Sequence, residues 1–306
     1  MTDSMLQNLS DIIGKDSIYE QELMKNHTSF RVGGPVDYFL VPKNEKEAVA
    51  LLRLFCEENE PYFVVGRGSN LLVSDDGYRG TIISLDSEFS DINIEGTSIY
   101  ALAGAPLIKI ASMALNNSLT GMEFASGIPG TLGGGITMNA GAYGGELKDI
   151  VEYVRLFDKK SGDVVAKSCE EMDFSYRHSI VSSGDYVVLG AKLNLEQGDF
   201  DEVKKTMDEL KEKRVSKQPL EYPSAGSTFK RPEGFFAGKL IEDSGLRGYR
   251  VGGAQVSEKH CGFVINRENA TSSDIVNLIR DVQNKVYEKF NVMLETEVCL
   301  LGFEEV

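Results

Sequence analysis

The 306-residue sequence has little of what metal centres and disulfide frameworks require. It contains only three histidines, and its four cysteines, Cys56, Cys169, Cys261 and Cys299, lie far apart. Metal-binding cysteines and histidines are normally a few residues apart, and disulfide-stabilised domains carry many more cysteines for their length. The sequence therefore predicts neither a metal site nor a disulfide framework.

Long apolar runs and an excess of basic residues are also missing. The chain has no stretch of 18 apolar residues, so we expect no transmembrane helix. Met1–Ser4 does not begin a basic segment followed by an apolar run, which argues against a signal peptide. With 32 basic and 47 acidic residues the formal net charge is −15, whereas nucleic-acid binding needs a basic face. These absences predict a cytoplasmic protein with no nucleic-acid partner and no membrane insertion.

The sequence is rich in glycine, with 31 of 306 residues against a usual share of roughly 7%. The first glycine-rich loop, Gly66–Asn70, follows a predicted strand at 62–65. Glycine lets backbone N–H groups approach a phosphate because no Cβ intervenes. The dinucleotide-binding fingerprint is not present, since the third glycine is missing and a strand, 71–73, follows instead of a helix. Taken alone, this motif fits a phosphate-binding loop and a plain tight turn equally well.

A second glycine-rich region covers Gly127–Gly135 and Asn139–Gly145. Two such loops in a strand-rich part of the chain could hold the two phosphates of one extended dinucleotide. The alternative is an ordinary set of turns. A small anionic ligand of this kind is compatible with a strongly acidic protein if the binding pocket is locally basic.

Apolar periodicity predicts helices that alternate with short strands. The predicted helices are 45–58 with Asn44 as N-cap, 107–117, 201–213, and 273–290 with Ser272 or Ser273 as cap. The predicted strands are 37–41, 62–65, 71–73, 81–85, 151–158, 186–194 and 292–301. The helix at 45–58 and the strands that flank it form a βαβ unit.

Two positions outside the glycine-rich loops have side chains suited to proton transfer or anion binding. Ser227 lies in a loop of small residues, 223–230, and a hydroxyl on a tight turn can donate a proton. The alternative is a turn serine that bonds its own backbone. Arg177 could bind a carboxylate through two guanidinium nitrogens, or it could be an ordinary surface arginine.

Glu295 and Glu297 fall on one face of the predicted strand 292–301. Both faces of this strand are largely apolar, so it is expected to be covered on both sides. Two carboxylates on such a face are costly unless they are paired or functional, and burial would raise at least one pKa. A proton-handling role and a simple ion pair with a nearby lysine or arginine are both compatible with this pattern.

Together, these motifs resemble the UDP-N-acetylenolpyruvoylglucosamine reductase family, flavoenzymes of peptidoglycan precursor synthesis. The resemblance covers nearly the whole chain, and the order and spacing of the motifs match. It rests on segments 66–70, 126–130, 139–144, 176–179, 223–230 and 294–298. Because the stretch between Arg177 and Ser227 is short, the chain is similar to the class that lacks a tyrosine-bearing insertion.

The resemblance implies an α+β fold. It consists of a bipartite FAD-binding fold of the vanillyl-alcohol-oxidase/p-cresol-methylhydroxylase type and a C-terminal α+β substrate domain. The implied domains are FAD-binding subdomain 1 at 1–91, with the N-terminal leader and the C-terminal strand, FAD-binding subdomain 2 at 92–213, and a substrate-binding domain at 214–306. Because 66–70 contains no histidine or cysteine, FAD is expected to be bound non-covalently. The implied cofactor-binding residues are Gly66, Arg67, Gly68, Ser69, Asn70, Ser126, Gly127, Pro129, Gly130, Thr131, Gly134, Asn139 and Gly141.

The activity implied by the resemblance is a two-step hydride transfer. NADPH reduces FAD, which then reduces the enolpyruvyl group of UDP-N-acetylglucosamine enolpyruvate to give UDP-N-acetylmuramate for the cell wall, and hence for cell shape and division. Arg177 and Glu297 match the pair that stabilises the enolate, and Ser227 matches the proton donor. Residues expected to bind the UDP-sugar are Tyr176, Lys217, Gly226, Arg231, Arg247 and His260. The expected oligomeric state is a monomer.

Two other functions remain open from the sequence. Another FAD oxidoreductase of the same fold, acting on a sugar or hydroxy acid, would keep the glycine-rich loops. It would not need the set formed by Arg177, Ser227 and Glu297. A non-catalytic nucleotide-binding module is less favoured, because it would gain nothing from carboxylates at 295 and 297.

Overall fold

A computed structural model describes residues 1–303, so the last three residues of the expected domain 214–306 lie outside the described chain. The chain forms two compact units. The first unit contains residues 1–20, 38–67 and 80–213, and the second contains residues 21–37, 68–79 and those from 214 onward. The units are therefore interleaved along the sequence, whereas the division expected from the sequence is sequential. No helix within residues 1–303 is long and apolar enough to cross a membrane.

The helices and strands are short and alternate along the chain. The α-helices are α1 (Asp3–Ile13), α2 (Glu45–Glu57), α3 (Leu107–Asn116), α4 (Leu132–Thr137), α5 (Phe200–Lys217), α6 (Ala237–Asp243) and α7 (Ser272–Phe290). The strands are β1 (Ile18–Leu23), β2 (Pro35–Leu40), β3 (Tyr62–Val65), β4 (Leu71–Val73), β5 (Tyr78–Ser84), β6 (Ile92–Glu95), β7 (Ser98–Leu102), β8 (Leu119–Thr120), β9 (Gly141–Ala142), β10 (Gly145–Glu146), β11 (Val151–Asp158), β12 (Val164–Ser168), β13 (Tyr186–Asn194), β14 (Glu196–Gln197), β15 (Arg250–Val251), β16 (Ala254–Val256), β17 (Val264–Asn266) and β18 (Cys299–Leu301).

The first unit is built around a five-stranded antiparallel sheet in the order β12-β11-β13-β7-β6. Strands β11 and β13 have the bounds predicted from the sequence. In β13 the five consecutive residues 187–191 are buried, which is typical of a central strand covered on both faces. Helices α3 and α4 contribute fully buried residues such as Leu107, Ile110 and Leu132 to the same core.

The predicted βαβ unit is formed by β2, α2 and β3. Asn44 caps α2 as predicted, with its side chain accepting a hydrogen bond from the Glu47 N–H at 3.0 Å. Strand β5 lies between β2 and β3 in the sheet order β1-β2-β5-β3, and β3 pairs with β5 in parallel, with Val65 opposite Ser84. Gly66 therefore leaves the carboxyl end of a parallel strand, where open α/β sheets characteristically bind ligands.

The second unit packs α7 against the antiparallel sheet β15-β16-β17. The apolar stripe predicted for α7 is buried and includes Ile275, Leu278, Ile279, Val282 and Val286. Two of the predicted helix bounds need correction. Thr271 caps α7 instead of Ser272 or Ser273, because its side chain and that of Asp274 accept hydrogen bonds from each other's backbone N–H at 3.0 Å. Helix α5 continues four residues past its predicted end, to Lys217.

The predicted continuous strand 292–301 is wrong. Only β18 is a strand, together with an isolated antiparallel bridge between Phe229 and Thr296. The segment changes its hydrogen-bonding partner along its length, because 295–297 bonds to 228–230 whereas β18 pairs in parallel with β4. One uninterrupted ladder cannot run along two differently placed partners, so the regular strand is limited to its last three residues.

Candidate active site and cofactor cavity

A cavity of about 260 Å³ lies in the first unit along β3 and the glycine that follows it. Its wall contains Gly66 from the first glycine-rich loop and Thr131, Gly133 and Gly134 from the second glycine-rich region. The two regions touch here, since a Cβ placed on Gly66 would overlap the Thr131 hydroxyl. Gly66 of the first loop and part of the second glycine-rich region thus line one cavity.

Neighbouring glycines in the cavity wall have different structural reasons to be glycine. A Cβ on Gly133 would lie 2.9 Å from the Ala103 Cβ, which is too close for a packed protein. A Cβ on Gly134 would have only the Thr131 hydroxyl nearby, at 3.7 Å. The protein itself therefore has room for a Cβ at Gly134. Glycine at this position keeps the cavity free of a side chain that a ligand would meet. This open wall fits an extended dinucleotide whose phosphates approach the backbone.

Other residues expected to bind the cofactor do not line this cavity. Those absent from its wall are Arg67, Gly68, Ser69, Asn70, Ser126, Gly127, Pro129, Gly130, Asn139 and Gly141. The Arg67 side chain pairs with Asp86, with 3.2 Å between Nε and Oδ1. Gly68, Ser69 and Asn70 belong to the second unit.

Gly68 is required by local backbone geometry. Its φ of +56° is left-handed, and a Cβ there would overlap the His27 carbonyl oxygen. The Gly68 carbonyl in turn accepts a hydrogen bond from the Ser29 N–H at 3.2 Å. Replacement of Gly68 would therefore disturb the loop whether or not a phosphate binds there, so flavin loss in such a variant would not test cofactor binding.

Lys159 lines the cavity and was missed by the sequence analysis. Its ammonium lies 4.7 Å from the centre of the Tyr62 ring, and burial lowers the pKa of Lys159. A cation withdrawn from water is stabilised by an anionic ligand. No motif marks this residue, because it follows β11 at an ordinary hairpin and only the fold brings it to Tyr62, the first residue of β3.

In the second unit, main-chain hydrogen bonds place Thr228, the residue that follows Ser227, opposite Glu297. The Glu297 N–H donates to the Thr228 carbonyl and the Lys230 N–H donates to the Glu295 carbonyl, both at 2.9 Å. The antiparallel register that pairs Phe229 with Thr296 places Thr228 opposite Glu297. Asn70 lies on the other side of Glu297, with its side-chain amide donating to the Glu297 carbonyl at 2.9 Å.

The loop that carries Ser227 is fixed by its neighbour Thr228, which is completely buried. The Thr228 N–H donates to the Gly262 carbonyl, and its hydroxyl accepts from the Val264 N–H, both at 2.9 Å. Gly226, with a φ of +77°, makes the sharp turn just before the serine. A rigid backbone would suit a serine whose hydroxyl must deliver a proton to one particular atom.

Glu295 differs from the sequence expectation of a buried carboxylate. Its side chain is 74% exposed and pairs with Lys230 at 3.3 Å. The simple ion-pair interpretation is therefore correct for Glu295, whereas the less exposed Glu297 lies between Thr228 and Asn70.

Ser227 also lines a cavity of about 340 Å³ in the second unit. The cavity wall is basic and contains Arg231, Arg247 and His260, which were predicted, and Lys239 and Lys259, which were not. These cations form a locally basic pocket, which an overall acidic composition does not exclude. Lys217 and Gly226 are in the same unit but do not line the cavity, and Tyr176 belongs to the first unit.

Carboxylates and carbonyls hold the basic side chains of this pocket. The Arg247 guanidinium bonds Glu242 at 2.8 Å and also donates to the Glu258 carbonyl. The Arg231 guanidinium lies 4.0 Å from the centre of the Phe236 ring. These contacts fix the planar groups in orientations from which they can bind phosphate oxygens.

His260 presents a neutral donor in the same pocket. Burial lowers the pKa of His260, and the charges of Arg247 and Lys217 lower it further, although a backbone hydrogen bond opposes the shift. Its Nδ1 accepts a hydrogen bond from the Gly262 N–H at 3.1 Å. We assign the proton of the neutral ring to Nε2 on the basis of that bond.

Arg177 belongs to the first unit and lies in a tight turn. An antiparallel bridge between Ser175 and His178 closes the turn, and Arg177 has a left-handed φ of +56°. Its guanidinium lies 5.1 Å from the centre of the Tyr176 ring. Within the described 303 residues, no group of three or more His, Cys, Asp and Glu side chains could hold a metal ion.

Sequence and structure comparisons identify the class of protein. Residues 36–167 match the FAD binding domain family, and residues 218–301 match the C-terminal domain of UDP-N-acetylenolpyruvoylglucosamine reductase. The glucose dehydrogenase Phl p 4.0202 shares the fold at a TM-score of 0.50 and 14% identity, over 65% of this chain and 45% of its own. The chain is an FAD-dependent oxidoreductase, and the predicted α+β class with a bipartite FAD-binding fold is confirmed.

Relatives over nearly the full length define the family. UDP-N-acetylenolpyruvoylglucosamine reductase of Caldanaerobacter subterraneus subsp. tengcongensis is 51% identical over 99% of both chains. That of Clostridioides difficile is 52% identical over 96% of this chain and 97% of its own. The crystal structure of the Thermus caldophilus enzyme has a TM-score of 0.80 and 35% identity over 92% of this chain and 97% of that one. The chain belongs to the UDP-N-acetylenolpyruvoylglucosamine reductase family.

We expect Gly134→Val to lower FAD affinity without destabilising the apoprotein. The added side chain has room in the protein but protrudes into the cavity. The measurements are FAD titration of apoprotein and thermal unfolding without cofactor. The neighbouring variant Gly133→Val is the control and should lower the unfolding temperature, because its Cβ meets Ala103. Unchanged FAD affinity in Gly134→Val would exclude this wall from the cofactor site.

Lys159→Met should weaken FAD binding by about tenfold, the equivalent of ~1.4 kcal/mol, because the cavity loses its buried cation. The apoprotein should unfold at the same or a higher temperature, since burial penalises the ammonium. Lys160→Met is the matched control, because that side chain is 76% exposed and pairs with Asp185. Equal FAD affinities for the two variants would contradict a role for Lys159.

Proposed function

We propose that the chain reduces the enolpyruvyl group of UDP-N-acetylglucosamine enolpyruvate to UDP-N-acetylmuramate, using NADPH, in peptidoglycan precursor synthesis. The observation that carries this proposal is the position of Ser227. Ser227 lines a basic cavity, and Thr228, the next residue in the chain, is bonded through its carbonyl to the Glu297 N–H. Such a site can hold an anionic nucleotide-sugar and deliver a proton next to it.

The basic cavity would bind the diphosphate of the substrate. Arg231, Arg247, Lys239 and Lys259 supply positive charge, and His260 supplies a neutral Nε2–H donor. Arginine fits phosphate oxygens through two parallel hydrogen bonds, and lysine acts as a point charge. Two groups predicted from the sequence have less direct support: Lys217, which affects the pocket through its charge on His260, and Tyr176, which contacts Arg177.

Bound FAD would supply the hydride chemistry that links NADPH to the β-carbon of the enolpyruvyl group. The substrate then carries negative charge on its α-carbon and carboxylate. Arg177 would stabilise that charge as a cation and Glu297 as a hydrogen-bonding group, and Ser227 would donate the proton that the α-carbon needs. Each of these roles is proposed for a residue whose backbone the fold fixes firmly.

Other parts of the proposal concern the whole molecule. We assign residues 1–91 and 92–213 to the two FAD-binding subdomains, and residues from 214 onward to substrate binding. The basic cavity and the C-terminal domain match at 218–301 support the last assignment. A cytoplasmic monomer without nucleic-acid partners fits the net charge of −15, and light scattering of the purified protein would measure the oligomeric state.

Ser227→Ala should leave anaerobic flavin reduction by NADPH nearly unchanged. Reoxidation by the UDP-enolpyruvyl sugar should slow by about 10²–10⁴-fold, because the proton donor is lost. Ser227→Cys should retain more activity, since a thiol can still deliver a proton. Ser224→Ala, in the same loop but outside the cavity wall, is the matched control. If both half-reactions slow equally in Ser227→Ala, the serine has a structural role.

Glu297→Gln should slow reoxidation by about 10²–10³-fold, the usual effect of losing one transition-state hydrogen-bonding group. Glu295→Gln should leave both half-reactions unchanged, because that exposed pair with Lys230 contributes about 0–1 kcal/mol. Stopped-flow reoxidation and thermal unfolding of both variants provide the measurements. Strong destabilisation of Glu297→Gln together with normal reoxidation would exclude its catalytic role.

A further inference from the structure

Asn139 was expected to contact the cofactor, but its side chain is turned into the protein. It is 1% exposed, and its amide donates to the Ser175 carbonyl at 3.2 Å and to Glu146 Oε2 at 2.7 Å. Its Oδ1 accepts a hydrogen bond from the Lys148 N–H at 3.0 Å. Both ends of the side-chain amide are therefore engaged inside the first unit.

The bond to Ser175 reaches the turn that carries Arg177. Ser175 and His178 close this turn through reciprocal backbone hydrogen bonds at 3.1 and 3.2 Å. Arg177 lies in the left-handed region, which a bulky residue adopts only when the surrounding structure imposes it. The turn therefore depends on contacts from outside itself.

A second contact fixes the other end of the same turn. The hydroxyl of Ser179, which is fully buried, donates to the Thr137 carbonyl at 2.9 Å. Residues 137–139 thus bind the chain on both sides of Arg177. Thr137 is the last residue of α4, whose Gly133 and Gly134 line the cavity, and Asn139 lies two residues further on.

The charges around Asn139 are consistent with this arrangement. Lys148 bonds Glu146 at 3.0 Å and lowers the pKa of Glu146, and the hydrogen bond from Asn139 and the charge of Arg177 act in the same direction. Glu146 therefore stays anionic near Arg177. The amide of Asn139 lies between this carboxylate and the backbone of the Arg177 turn.

We propose that Asn139 is a positioning residue that sets the direction of the Arg177 side chain, and that it is not a cofactor contact. This inference rests on the proposed role of Arg177 in stabilising the substrate enolate. Small misplacements of a catalytic group can cost about 10²-fold in rate, so a residue that never touches the substrate can still control the reaction.

The test compares Asn139→Gly, Arg177→Met and the double variant as holoenzymes. Glycine keeps the left-handed φ of +44° at position 139 and removes only the side chain. We expect Asn139→Gly to retain full FAD content and normal flavin reduction by NADPH. Its reoxidation by UDP-N-acetylglucosamine enolpyruvate should slow by about 10²-fold. The double variant should be no slower than Arg177→Met, since Asn139 acts through Arg177.

Asn291→Gly is the matched control, because Asn291 also has a left-handed φ, +52°, but ends α7 in the second unit. It should behave as wild type in both half-reactions. If Asn139→Gly does not fold, Asn139→Ser fills part of the space and removes the amide donors without adding a charge beside Glu146, and it should give the same kinetic pattern.

The possible outcomes separate the inference from the function on which it rests. Lost FAD with normal reoxidation after cofactor saturation would make Asn139 a cofactor contact and overturn the inference. Independent, multiplicative slowing in the double variant would also overturn it. Normal reoxidation in Arg177→Met would instead refute the proposed role of Arg177.

Discussion

The hydrogen-bonding of the C-terminal segment is the constraint on which the second unit depends most. Residues 295–297 bond to 228–230, and β18 then pairs with β4. The change of partner occurs at Glu297, so this residue lies between the loop 223–230 and Asn70. A continuous strand would have given the carboxylate a regular partner, whereas the break gives it neighbours from two different segments.

Glycine has two separate functions in this molecule, and only the structure distinguishes them. Gly68 and Gly133 are required by the protein, through a left-handed φ and a close contact with Ala103 respectively. Gly134 is not required by its neighbours. A glycine that the fold does not need is the more informative one, because the remaining reason to keep it is space for a ligand.

The sequence predicted those features that repeat along the chain. Strand β13 is a nearly continuous apolar run and helix α2 has a clear apolar periodicity, and the structure confirms both elements. The predicted strand 292–301 was wrong because apolar alternation does not reveal a change of partner. Lys159 could not be identified, since its place in the cavity wall depends on the fold that brings a hairpin to the first residue of β3.

In the candidate site, too, some features could be predicted from the sequence and others only from the structure. Sequence motifs identified Ser227 and the residues around Arg177 as candidate site residues, because reactive groups need unusual local sequences. They could not separate a residue that touches a ligand from one that orients a reactive group. Asn139 belongs to a glycine-rich motif and so resembles a phosphate contact, but its buried amide bonds the Arg177 turn. Hydrogen-bond partners, which the sequence does not contain, decide between these roles.

The acidic composition and the basic cavity are compatible because carboxylates hold the cations in place. Glu242 fixes Arg247 at 2.8 Å, and Asp243 fixes Lys239 at 2.6 Å. These side chains are exposed, so such pairs contribute little to stability. Their main effect is to reduce the conformational freedom that long basic side chains would lose on binding a diphosphate. A chain of net charge −15 can therefore present an ordered cationic pocket without an overall basic surface.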